Sequence, residues 1–168
     1  DIIQKFNDKA SIDILLFRKN GVFLNDVPKN VTIHSVKNIN SKKYSLKYIL
    51  FRFFSPYRKF FINNLVHKFQ YDTVIGFMEG RTATLVADIK KKVKKIAWIH
   101  IDVEKFDIGI SDEEAKKSYS YMDKIICVSN EAKEKFINKF NIEENKVNVI
   151  NNLVNEEKII GNSKMFNP

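Results

Sequence analysis

From Thr73 onward, short unbroken apolar runs alternate with helical segments, and that alternation leaves few folds open. The runs are TVIGF (73–77), Val93 to Ile99, KIICV (124–128) and VNVI (147–150). Helical segments separate them: Arg81 to Lys91, a segment opened by Ser111-Asp112-Glu113-Glu114, and Asn130 to Phe140. Serine before the turn and acids inside it mark a helix start, because they satisfy and complement the free N–H groups there. The apolar runs show no strict in–out alternation, so they suit strands buried on both faces. Strand–helix–strand succession of this kind builds a parallel sheet. Upstream, IDILLF (12–17) and VTIHSV (31–36) are two further strands, separated by a loop with Gly21 and Pro28. Tyr44 to Phe69 reads as two helices meeting at Pro56, since proline removes a donor from an interior turn. Asp1 to Phe6 reads as the tail of a helix, and another begins after Asn155. The expected architecture is α/β: a Rossmann-like parallel sheet with helices on both faces. A single domain would run over residues 1–154, with 155–168 starting a crossover segment.

Charge narrows the partners. Nine of the 29 basic residues lie between Val27 and Tyr71, where there is no acid; the other 20 are matched by the chain's 20 acids. The whole excess of +9 thus sits in one segment, which suits a face turned toward something anionic. Within it Arg52, Arg58 and Lys59 stand among Tyr48, Phe51, Phe53, Phe54, Tyr57, Phe60 and Phe61, the composition of an interfacial membrane helix. The bland alternative is that the aromatics pack in the core and the cations cover apolar surface with their stems. No nucleic-acid motif accompanies the basic residues, so nucleic acid is not an expected partner. A single cysteine, Cys127, precludes an internal disulfide and suits a reducing cytoplasm. No apolar run reaches the roughly 20 residues of a spanning helix. The expected location is cytoplasmic, with peripheral contact to the inner face of the plasma membrane. Abundant lysine, asparagine and isoleucine with scarce glycine and proline fits a bacterial source.

Parallel sheets bind ligands beyond the C-terminal ends of their strands. Met78, Glu79 and Gly80 follow the run at 73–77; His100, Ile101 and Asp102 follow Ile99; Ser129 and Asn130 follow Val128; Asn151 and Asn152 follow Ile150. Each has an ordinary role open to it. Ser129 or Asn130 is a natural helix cap, Glu79-Gly80 an ordinary loop, and His100 a surface histidine. His34 and His67 have no companion ligands and read as structural. The lysine run from Lys90 to Lys95 belongs to the opposite edge, as a solvated helix end. There is no zinc-type Cys/His cluster, no Walker or GxGxxG loop and no Gly-x-Ser-x-Gly elbow, so neither metal nor cofactor is expected.

Three stretches in this order resemble the N-terminal domain of the retaining glycosyltransferases with the GT-B fold (glycosyl transferases group 1). They are YDTVIGFMEGRTATLVA (71–87), KKIAWIHIDVEKF (94–106), and MDKIICVSNEAKEKF with KVNVINNLVN, spanning 122–155. The last is the most specific, because a strand-Ser-helix unit and an Asn-rich crossover occur together. Residues 12–36 also fit the family's second and third strands. The resemblance implies transfer of a sugar from a nucleotide-sugar donor to a glycan or polyprenyl-linked acceptor, with retention at the anomeric carbon, usually without metal. It implies cell-surface polysaccharide synthesis as the setting. His100 matches the histidine that reaches the cleft near the reacting sugar. Glu79, Gly80, Asp102 and Ser129 match the acceptor side. The family's first strand with its glycine-rich loop would precede residue 1. The donor-binding domain, with two glutamates seven residues apart, would follow residue 168. The chain by itself is then expected to be inactive.

Two readings from other classes share this architecture: a flavodoxin-like or receiver-like binding module, and a purely structural adaptor. A receiver would want paired acids after its first strand and a lysine after its last, and Asn151 stands near the second position.

Overall fold

The computed structural model describes residues 3, 6, 9–37, 49–50, 54–154 and 156–165. The chain forms two compact units, Ser55–Asn152 and a second made of Asp1–Phe54 with Leu153–Pro168. All strand pairing among the described residues is parallel, as the unbroken apolar runs require.

The larger unit opens with helix α1 (Ser55–Phe69). There follow β3 (Thr73–Gly76), α2 (Arg81–Ala87), β4 (Lys94–Ile99), α3 (Asp112–Ser120), β5 (Lys124–Cys127), α4 (Asn130–Phe140) and β6 (Val147–Val149). The first two strands of the chain, β1 (Asp13–Arg18) and β2 (Thr32–Lys37), lie in the other unit. The sheet of the larger unit runs β3-β4-β5-β6, in sequence order. Crossovers of one hand that always step in the same direction lay their helices on one face. The contacts agree: α1 meets α2, α2 meets α3 and α3 meets α4, forming one layer. Under that layer Gly76, Ala97, Ile99, Ile125, Cys127 and Val147 share one side of the sheet through the strand register, and all are buried. Period-2 alternation assigns Ile75, Phe77, Ile96, Trp98 and Ile126 to the other side, where only Ile126 is fully buried.

Tyr119 of α3 and Phe136 and Phe140 of α4 lock the helical layer. Their ring centroids lie 4.7 to 5.3 Å apart, and none of the three is exposed. Truncating such a ring to alanine costs about 3–5 kcal/mol. The helix ends carry the expected caps. Ser111 Oγ accepts from the Glu114 N–H at 3.2 Å and Ser129 Oγ from the Ala132 N–H at 3.1 Å. Asn141 closes α4 in the left-handed region, at φ 50°.

One helix boundary differs from the sequence reading. Helix α2 stops at Ala87, not at Lys91. There Lys95 Nζ donates to the carbonyls of Ala87 (3.2 Å) and Ile89 (2.7 Å), ending the helix from the neighbouring strand. This turns part of the lysine run into a helix stop. Pro56 stands at the helix junction expected there: it lies in the first turn of α1, where N–H groups have no intrahelical partner. Of the segment expected to be helical before Pro56, residues 49 and 50 are helical and most of the rest lies outside the described residues.

In the smaller unit β1 and β2 pair in register Asp13↔Thr32 through Arg18↔Lys37. The connection between them holds a short 3-10 helix, Val22–Asp26. His34 Nε2 lies 3.0 Å from Asp13 Oδ2, which gives this histidine the structural role expected of it. Helix α5 (Glu156–Met165) belongs to the same unit. No helix among the described residues is long and apolar enough to cross a membrane.

Candidate functional site

In a parallel sheet every strand delivers its next residues to the same edge, so β3, β4 and β5 place Glu79, His100 and Ser129 along one border. A cavity of about 370 Å³ opens there, lined among others by His100, Asp102, Lys105, Phe106, Ser129 and Lys135. It therefore joins three of the expected site residues: His100, Asp102 and Ser129. Glu79 and Gly80 do not line it.

His100 follows directly on β4. Its ring stands 4.7 Å from Phe77 and lies nearly parallel to Trp98, with centroids 6.1 Å apart. Its Nε2 is buried and has no hydrogen-bond partner among the described residues, and the same holds for Trp98 Nε1. A buried polar atom without a partner is uncommon and costly, so a bound hydroxyl or water would be favoured at this nitrogen.

Glu79 reaches across from the β3–α2 turn. Its Oε1 accepts from the backbone N–H of His100 and, at 3.1 Å, from that of Ile101. Gly80 adopts φ +64°, and a Cβ there would collide with the Ile108 carbonyl oxygen. Its N–H donates to the Tyr119 hydroxyl at 3.2 Å. Burial pushes the Tyr119 hydroxyl up to about 12, so it stays protonated at neutral pH. The glycine is thus required both by its backbone conformation and by the closeness of the β4–α3 loop.

Asp102 sits at the centre of a charged cluster. Lys135 Nζ is 2.6 Å from Asp102 Oδ2 and 2.6 Å from Glu131 Oε1, while Lys105 Nζ is 3.6 Å from Asp102. The hydrogen bond from Lys135 holds the Asp102 carboxyl below the ordinary carboxylate range, helped by the Glu104 N–H. The same lysine lowers Glu131, and its own ammonium is stabilised in return, first by Asp102 and then by Glu131. Ser129 Oγ serves as the cap of α4, so the positive end of that helix borders the cavity.

Sequence reasoning missed Lys135, Glu131, Lys105 and Phe106. The Glu131–Lys135 spacing of i,i+4 is a visible signal for an ion pair, although nothing local ties that pair to Asp102. Of the three cations expected to face a membrane, Arg52 lies outside the described residues. Arg58 is half-buried on α1, and Lys59 pairs with Asp88 at 3.0 Å. Beside them Phe60 is 68% exposed. Among the described residues no cluster of histidine, cysteine and carboxylate side chains could hold a metal ion. Cys127 is buried under the helical layer, which pushes its thiol up to about 12 and leaves it unreactive.

The family model for Glycosyltransferase Family 4 matches residues 10–158 of this chain. No curated protein sequence matches it significantly.

Proposed function

The chain belongs to glycosyltransferase family 4, and from that premise we propose that it forms the acceptor-side half of a retaining enzyme of GT-B type. The observation that carries this reading is the convergence of His100, Asp102 and Ser129 on one cavity at the C-terminal border of a parallel sheet. An acceptor presents hydroxyl groups, and the cavity offers what hydroxyls need. His100 lines it, and the aromatic rings of Phe77 and Trp98 pack against the imidazole. The partnered cluster of Asp102, Lys135 and Glu131 forms one wall.

In this mechanism the donor is a nucleotide-diphosphate sugar. His100 hydrogen-bonds the transferred sugar or the attacking hydroxyl as the bond to the leaving diphosphate breaks. A neutral imidazole suits either role, since one ring nitrogen donates and the other accepts. Retention means that the new bond forms on the face from which the diphosphate leaves, and Asp102 and Ser129 orient the acceptor for it. A polyprenyl-linked acceptor in cell-surface polysaccharide synthesis would bring the enzyme to the inner face of the membrane, which the exposed Phe60 beside Lys59 favours.

The test is transfer by the full-length protein from a panel of nucleotide sugars to free and polyprenyl-linked glycans, with anomeric configuration read by NMR. Retained configuration in the product supports the reading. An inverted product removes the retaining mechanism, and no transfer or donor hydrolysis with any sugar removes the enzymatic reading.

A further inference from the structure

The geometry points to Glu79 as a positioning residue that holds His100 in place through the backbone, in place of any direct contact with the acceptor. The inference deepens the glycosyltransferase reading of this site and rests on it for its kinetic arm.

Glu79 does not line the cavity, yet one of its carboxylate oxygens takes the N–H groups of both His100 and Ile101. These two amides are the first beyond β4, where the chain leaves the ladder and loses its regular partners. A carboxylate is the strongest acceptor the chain can offer two converging N–H groups, since a charged acceptor strengthens a hydrogen bond. The turn that presents Glu79 is fixed in its own right. Gly80 packs against the Ile108 carbonyl and donates to Tyr119, so the β3–α2 turn is attached to both the start and the far end of the β4–α3 loop. That loop carries His100 at one end and Asp102 next to it. It is held further along by Lys135 on Asp102 and by Lys139 Nζ on the Val103 carbonyl at 2.8 Å. Of these ties, only the Glu79 bond acts on the peptide N–H of His100 itself. A tilted contact with Phe77 and a parallel one with Trp98 then set the imidazole plane, and Glu79 sets the backbone from which it projects.

A group that binds acceptor through its charge and a group that orders a neighbouring backbone respond differently to Glu79→Gln. The amide oxygen of glutamine still accepts two N–H bonds, while the negative charge is gone. The experiment uses the full-length protein with Glu79→Gln and Glu79→Ala variants and reads two quantities. The first is hydrogen exchange at the His100 and Ile101 amides, which needs no substrate. Exchange should stay near wild type in Glu79→Gln and speed up by about 10- to 100-fold in Glu79→Ala. The second is steady-state transfer. Glu79→Ala should lower kcat by on the order of 100-fold with little change in KM, since a displaced His100 loses its transition-state contact. Glu79→Gln should restore most of kcat. Loss of turnover in Glu79→Gln equal to that in Glu79→Ala, or unchanged amide exchange in Glu79→Ala, overturns the assignment. If Glu79→Ala fails to fold, Glu79→Gln decides alone: near-normal exchange and turnover support positioning, and an unfolded or inactive glutamine variant overturns it. If the wild-type protein transfers no sugar, the glycosyltransferase reading falls while the exchange measurement still judges the backbone role.

Discussion

Lys135 places its ammonium nitrogen 2.6 Å from Asp102, joining the second turn of α4 to the loop that follows β4. Thirty-three residues separate the two partners in sequence. The pair forms a wall of the cavity and fixes the distance between the two strand ends that frame it. Both side chains are only partly buried, so the pair acts in a screened environment and its effect is chiefly geometric.

The pair makes stability depend on pH in a defined direction. Asp102 has a folded-state pKa below its unfolded value, caused first by the Lys135 hydrogen bond. Its contribution is therefore present above the ordinary carboxylate pKa and disappears as pH falls through the lowered folded value. Asp102→Asn should melt at a lower temperature than wild type near neutral pH, and the difference should shrink in acid, around pH 3 and below. Thermal unfolding of both proteins across that range checks the sign. A gap that is constant with pH would mean that the ion pair is energetically silent.

His100→Ala should lower the rate of transfer by on the order of 100-fold or more, the usual loss for a positioned group beside developing charge. The fold should survive, because among the described residues His100 Nε2 has no hydrogen-bond partner to lose. Steady-state kinetics together with a thermal melt separate these effects. Wild-type turnover in the variant would make His100 a bystander to the chemistry.

Two glycines with positive φ should answer alanine substitution differently. At Gly80 an added methyl collides with the Ile108 backbone, whereas at Gly109 nothing lies within 4 Å. Gly109→Ala should cost about 1 kcal/mol, the backbone term alone. Gly80→Ala combines that term with overpacking and should cost about 3 kcal/mol or more. Denaturant titration measures both, and equal losses would show that the turn at Gly80 yields without strain.

Phe60 offers the cleanest probe of membrane contact. It is 68% exposed, so Phe60→Ser leaves the core untouched, whereas reversing Lys59 would set two acids together at Asp88. The full-length protein should sediment with anionic liposomes at low salt, release as salt rises, and bind more weakly with Phe60→Ser. Insertion of a phenylalanine is worth roughly 1.5–3 kcal/mol, so the loss should be on the order of 10- to 100-fold. Absence of binding to anionic liposomes at low salt would place the α1 surface in ordinary solvent and favour a soluble acceptor.

The sequence by itself determined the parallel sheet and the sheet edge at which the residues after its strands gather. Unbroken apolar runs such as KIIC, with Ser111 and Ser129 ahead of the following helices, are local signals, and their physical causes are local too: burial on a pleated surface and unsatisfied N–H groups at a helix start. Because parallel strands all point one way, residues just after Gly76, Ile99 and Cys127 had to share a border. What that border contains was decided only by tertiary structure. The sequence shows Glu79 as a free acid in a loop, whereas the fold commits it to the His100 and Ile101 amides. Asp102 shows no partner within its own segment beyond Lys105, and the fold gives it Lys135. The described strands divide between two sheets, a division no single run announces. Periodicity reaches only as far as one turn or one strand. The partner of a side chain 20 to 30 residues away is fixed by strand register and by the path of the loops, which the whole packed core sets together.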